Sequence, residues 1–204
     1  VPLDRILDMA LLILDEHGAD ALSMRTLAQR LDSSTATLYR HFAGRPDLIA
    51  QVIDRMFGKI DVDPGELGTV GWSQACRQVA HQMFDVLRRH GNVAHLLVEQ
   101  VPVGPNAMVL RERLVAILLD GGFPPPLAAR SYATVARFVL AFALQPGDPG
   151  ALEGDRAASV SLHTVDPARF PATTAVADWM PVPVEEEFAF GLDLLLRGLA
   201  TESR

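Results

Sequence analysis

The sequence predicts an all-α fold. Apolar residues recur at three- and four-residue spacing through most of the chain, and Gly and Pro separate the periodic blocks. No stretch alternates with a period of two, and no internal repeat or low-complexity tract interrupts the pattern. With 204 residues, 49% apolar and 21% charged, the chain can bury a core in one or two modest domains, which excludes disordered and fibrous classes.

Each element has its own warrant. Leu3, Ile6, Leu7, Ala10, Leu11, Ile13 and Leu14 place a helix at residues 3–17, with Gly18 as its stop signal. Ser23 is placed to cap a second helix that carries Met24, Leu27, Ala28 and Leu31 and ends near Asp32. A third short helix follows at 35–42, with Leu38 and Phe42 on its packing side and Thr35, Thr37, Tyr39, Arg40 and His41 mostly elsewhere. Gly44 closes it, and Pro46 with Asp47 suits the donor-rich first turn of a fourth helix running to about Gly58. Residues 61–71, with Pro64, Gly65, Gly68 and Gly71, are the expected boundary. Further helices are expected at about 72–89, 93–99, 106–120, 126–144 and 185–200. Residues 145–155 and 164–184 are crowded with helix breakers and are expected to be loop-rich, with a short helix near 173–179.

Charge narrows the function. The 25 acidic and 18 basic residues give a net charge of −7, which argues against indiscriminate coating of nucleic acid or anionic lipid. Within 21–46, however, Arg25, Arg30, Arg40 and Arg45 face only Asp32, four against one, a local charge of +3. The single Cys76 rules out an intramolecular disulfide and a cysteine zinc cluster and fits a reducing compartment, so the cytoplasm is the expected location. The long apolar runs, such as 9–14 and 138–144, fall far short of the roughly 20 residues of a membrane span, and no signal peptide or membrane partner is expected. An enzyme is not expected either: there is no Gly-rich phosphate loop, nucleophile elbow or metal-ligand motif.

Two short helices joined by a tight polar turn and braced by a longer one form a helix-turn-helix, whose second helix enters the DNA major groove. Residues 6–49 resemble the DNA-binding domain of the tetracycline-repressor (TetR) family. The resemblance is carried by residues 21–28, ALSMRTLA, and 37–42, TLYRHF. It implies an all-α homodimer with a DNA-binding domain at 1–58, a linker at 59–71 and an effector-binding and dimerisation domain at 72–204. The segments RRHGNVAHLL, RSYATVARFVLAFALQ and EEEFAFGLDLLLRGL extend the likeness into that second domain. By the same resemblance, Arg25 and Thr26 open helix two toward DNA, while Ser34, Thr35, Ala36 and Thr37 open the recognition helix toward base edges. Tyr39, Arg40, His41 and Arg45 complete the set, Tyr39, His41 and Arg45 as phosphate contacts. The family usually has Gly-Val in the turn, where this chain has Asp32 and Ser33; Asp tolerates a left-handed conformation, and Ser33 is expected to make the turn less rigid.

In residues 72–89, Trp72, Cys76, Val79, Met83 and Val86 share one face, flanked by Phe84 and Leu87. On spacing alone this face reads as core packing; the resemblance to the TetR family implies instead that part of it lines a cavity, closed by His95, Met108, Phe138 and Phe142 and suited to a small lipophilic effector. The expected ligand set is therefore Trp72, Val79, Met83, Phe84, His95, Met108, Phe138 and Phe142. His95 and Glu99 stand four residues apart, yet no closed ligand set surrounds them, and neither metal nor cofactor is expected. Cys76 on an apolar face reads as an inert small hydrophobe. The helices at 126–144 and 185–200 are too apolar to face water on any wide side, so pairing with their copies in a four-helix bundle is expected. The sequence thus reads as a ligand-responsive transcriptional repressor whose partners are a pseudo-palindromic duplex operator, a small-molecule effector and a second copy. An activator, or an interaction module with a degenerate head, is the alternative.

Overall fold

The computed structural model describes residues 1–98, 101–145 and 149–202. Among these the regular structure is helical, with no strand. By contacts the chain divides into two compact units, Val1–Leu144 together with Leu196–Arg204, and Gln145–Leu195.

In the first unit, α1 (Leu3–His17) buries Ile6, Leu7, Ala10, Leu11, Ile13 and Leu14. It stops at Gly18, which adopts φ 77° while its N–H closes on Leu14 O at 2.8 Å. Ser23 caps α2 (Met24–Arg30) by accepting from Thr26 N, and Ser34 caps α3 (Thr35–Tyr39) by accepting from Thr37 N. Asp32 supplies the left-handed turn between them, φ 48°, and Ser33 N–H donates back to Ala28 O at 2.9 Å. Helix α3 has five residues and ends at Tyr39, not Phe42. Residues 40–42 leave it in tighter turns in which both His41 N and Phe42 N reach Leu38 O, so Phe42 still packs. The chain then enters α4 (Arg45–Phe57), where Asp47 in the first turn accepts from Ala43 N at 2.9 Å. That hydrogen bond holds the Asp47 carboxyl below its ordinary range.

The expected linker contains one helical turn, α5 (Pro64–Leu67). Helix α6 (Trp72–Arg89) runs as the sequence predicts and buries Val79, Met83, Phe84 and Leu87. The helix expected at 93–99 is instead a short α7 (Gly91–Ala94) that tightens into a 3-10 turn at His95–Val98. Helices α8 (Pro105–Asp120) and α9 (Pro125–Ala143) each begin with proline in the first turn. Helix α9 packs on α6 and α8, while α4 packs on α1 and α8. Gly121 permits one close approach: a Cβ there would lie 2.8 Å from Trp72 Cβ.

The loop expected at 145–155 is overturned by α10 (Pro149–His163). Pro149 stands at the first helical position, where proline starts a helix rather than breaks one. The short helix expected near 173–179 is present as α11 (Pro171–Val176) followed by a 3-10 turn, Ala177–Trp179. Helix α12 (Val184–Glu202) is the last described element. In the second unit Val160, Trp179, Phe190 and Leu194 are at least half exposed.

Candidate nucleic-acid interface and ligand cavity

Most of the residues expected to meet DNA are exposed on α2, α3 and the turns that follow. Arg25 is exposed in the first turn of α2, and Thr35 and Ala36 are exposed in the first turn of α3. Tyr39 is 58% exposed, unusual for a ring beside the buried Leu38, and Arg40 and His41 are exposed next to it. The caps that build the motif engage three of the expected contacts. Thr26 Oγ1 pairs with Ser23 Oγ at 2.8 Å, and Ser34 Oγ pairs with Thr37 Oγ1 at 3.1 Å.

Arg45 is placed differently from a free phosphate ligand. Its Nε donates to Leu22 O at 2.8 Å and its Nη2 to Ala19 O at 2.6 Å, clamping the link between α1 and α2 against the start of α4. Arg30 likewise reaches back to α1, donating to His17 Nε2 at 3.1 Å. Arg55 joins α4 to α1 through Asp8 and Asp4. Its guanidinium holds the Asp8 carboxyl below the usual range.

A cavity of about 210 Å³ lies between α6, α8 and α9. Met83 and Leu87 come from α6, Ala107, Leu110, Arg111 and Leu114 from α8, and Tyr132, Ala133, Ala136, Arg137 and Leu140 from α9. Phe57, the last residue of α4, lines it too, with Leu97, Val101 and Pro102. Of the eight residues expected to hold a ligand, Met83 alone lines this space. Val79 and Phe84 are buried, and Trp72 borders a separate cleft with Val70, Arg113 and Gly121, its ring edge-on to Phe123 at 4.7 Å. The rings of Phe138 and Phe142 meet at a tilt of 48°, their centroids 4.8 Å apart. His95 is exposed, and Met108, 44% exposed, touches the cavity indirectly by accepting from Arg111 Nη1 at 2.9 Å.

The polar part of the cavity comes from residues the sequence did not single out. Arg111 donates to Tyr132 Oη at 3.1 Å and to Pro102 O at 2.9 Å. A signal was present: Arg111 and Tyr132 lie on helices expected at 106–120 and 126–144, each beside small or apolar residues at helical spacing.

Cavity and head are joined through α4. The Asp54 carboxylate, one turn before Phe57, is buried and caps α8: Oδ1 accepts from Ala107 N at 3.0 Å, and Oδ2 from Asn106 Nδ2 at 2.9 Å and Asn106 N at 3.3 Å. Asn106 Nδ2 also donates to Asp54 O at 3.2 Å. Gly104 presses so closely that a Cβ there would overlap the Asp54 side chain. A second tie joins α1 to the end of α6, where His90 Nδ1 stands 2.7 Å from Asp15 Oδ2 and Asn92 donates to Asp15 O at 3.0 Å.

Cys76 is buried, which pushes its thiol up to about 12. Among the described residues no three metal-binding side chains gather, and Glu99, paired with His95 in the sequence reading, lies outside them. No helix of the described residues is long and apolar enough to cross a membrane.

Two family models match the chain. One, described as bacterial regulatory proteins, tetR family, covers residues 6–52, and the other, described as tetracyclin repressor-like, C-terminal domain, covers 64–203. The HTH-type transcriptional repressor DrrR1 of Streptomyces coeruleorubidus is 27% identical over 97% of this chain and 76% of its own. The tetracycline repressor protein class E of Escherichia coli is 26% identical over 98% of this chain and 91% of its own. Among solved structures, apo ActR of Streptomyces coelicolor matches with a TM-score of 0.85 at 30% identity, covering 100% of this chain and 96% of that one. ActR in complex with actinorhodin matches at 0.83 and 31% identity, covering 100% and 99%.

Proposed function

Because the chain belongs to the tetR family of bacterial regulatory proteins, we propose that it represses transcription as a cytoplasmic homodimer, released from a pseudo-palindromic operator when a small molecule fills the cavity. The head is residues 1–58, the linker 59–71, and the ligand-binding and dimerising part 72–204. Thr35, Ala36 and Thr37 read base edges together with Arg25. Tyr39, Arg40 and His41 grip phosphates. Arg45 acts mainly by fixing the angle at which α4 leaves the motif, since two of its donors already serve backbone carbonyls. The exposed apolar side chains of the second unit, Trp179, Phe190 and Leu194 among them, suit an interface with a second copy. The crystal structures of ActR with actinorhodin and with (S)-DNPA support a small-molecule effector for this chain.

One observation carries the mechanism: α4 begins beside the recognition helix and ends as a wall of the cavity, with Asp54 gripping α8 one turn earlier. A ligand that spreads α8 from α4 turns the head through this grip. It releases DNA only to the extent that it binds the released form better than the DNA-bound form; a hundredfold preference corresponds to about 2.7 kcal/mol.

Selection of bound duplexes from a random pool, followed by titration at two salt concentrations, tests the reading. A two-fold-symmetric site is expected to emerge, with affinity falling steeply as salt rises. A folded dimer that enriches no sequence would refute it in favour of a head that no longer binds DNA.

A further inference from the structure

The cavity contains a charge that no carboxylate of the described residues answers. Arg111 is half-buried in its wall, and no acidic residue is among the described side chains that line it. A guanidinium has five N–H donors. Three are directed to Tyr132 Oη, Pro102 O and, weakly, the Met108 thioether, so two remain for another acceptor. The Tyr132 ring lies against the guanidinium, 5.9 Å from Cζ to the ring centroid, and helps to fix its plane. Arg137 lines the same space from α9, and neither arginine pairs with a carboxylate of a described residue.

A cation drawn partly out of water against Leu110, Leu114 and Leu140 is held at a cost unless a counter-charge joins it. An arriving carboxylate or phenolate removes that cost and gains charge-assisted hydrogen bonds. We infer that the effector is an amphipathic organic anion, with an apolar ring system against the leucines and acidic oxygens on Arg111, and with Arg137 adding a second positive charge. This rests on the effector reading above and sharpens it, since a neutral lipophile would leave Arg111 as it stands. The same arginine holds Pro102 O, two residues before Gly104 and the Asp54-capped start of α8. Drawing the guanidinium toward an anion therefore pulls on the segment that links the cavity to α4.

Calorimetric titration of the full chain with 2-naphthoate, methyl 2-naphthoate and 2-naphthylmethylammonium tests the assignment, because the three share a ring system and differ in charge. The acid is expected to bind at least about tenfold more tightly than the ester, and the cation least. Arg111→Met should bring the acid down to the level of the ester while the ester changes little, and Arg111→Lys should keep part of the preference. The lysine variant covers the case in which losing the bond to Pro102 O unfolds the methionine variant. Equal binding of acid and ester, or an acid preference that survives Arg111→Met, overturns the inference and leaves the effector cavity standing. Binding of none of the three to the folded chain overturns both.

Discussion

Replacing Asp54 by alanine should weaken the protein and uncouple its cavity from its head. The side chain accepts from Ala107 N, Asn106 N and Asn106 Nδ2 at 3.0, 3.3 and 2.9 Å, and it is only 9% exposed. Its removal takes from the first turn of α8 a carboxylate that acts as a cap from another helix, an effect comparable to that of an N-cap side chain, about 0.5–2 kcal/mol, and strands poorly solvated donors, worth about 1–3 kcal/mol more. The two overlap, because the stranded donors are those that were capped, so a loss of about 2–3 kcal/mol is expected. Urea denaturation at neutral pH measures it, with an unchanged slope showing that the unfolding reaction is the same. Asn106→Ala removes one of the three donors and should cost about 1 kcal/mol. The double variant should lose less than the sum, since both changes break one network. A loss below about 0.5 kcal/mol for Asp54→Ala, within the range of ordinary surface substitutions, or strict additivity of the pair, would refute the reasoning.

Other outcomes follow from the same geometry. Tyr39→Ala should reduce affinity for all duplexes alike, whereas Arg25→Ala and Thr37→Ala should also change the preference among sites; gel-shift titration against the selected operator and scrambled controls separates the two, and unchanged binding by all three variants would sink the head assignment. The Cys76 thiol, pushed up to about 12 by burial, should resist a thiol reagent at neutral pH in the folded chain and react once the chain is unfolded. His163 should titrate above its ordinary value, because its ring faces Ser159 O at 2.8 Å and Asp178 Oδ1 at 3.0 Å. The charged ring is the partnered one, so this tie is complete below the unfolded-state value of about 6.5 and is lost as pH rises through the higher folded-state value. An NMR titration of the ring, compared with Asp178→Asn, reads the direction.

The head was legible because its signals are local. Ser23 and Ser34 announce their caps, Gly18 its stop, and Asp32 its left-handed turn, each within a few residues of the atoms it satisfies. The end of α3 was less so, since Phe42 remains buried whether the chain continues as helix or tightens into turns. Helix α10 is hidden in the sequence because its Gly and Pro read as breakers, although Pro149 marks the start. The lining of the cavity, of which the sequence names Met83, is hard to read for a different reason. Large apolar residues such as Val79 and Phe84 fill space, whereas the lining of the cavity includes small ones, Ala107 on α8 and Ala133 and Ala136 on α9. No periodicity within one helix says which neighbour it will meet. Arg45 shows a similar limit: the resemblance implies a phosphate contact, and the two carbonyls its guanidinium also serves, those of Ala19 and Leu22, lie more than twenty residues away in sequence.

The meeting of Asp54 with Gly104 and Asn106 bears on how such proteins could be recombined. A head transplanted at residue 58 onto an unrelated sensor would carry the carboxylate but leave behind the two amides and the missing Cβ that accommodate it. The hybrid would present a buried acid to a surface never shaped for one, and would fold poorly or respond to nothing. Residues 104–107 therefore travel with the head in any working chimera, although half the chain separates them from its first helix.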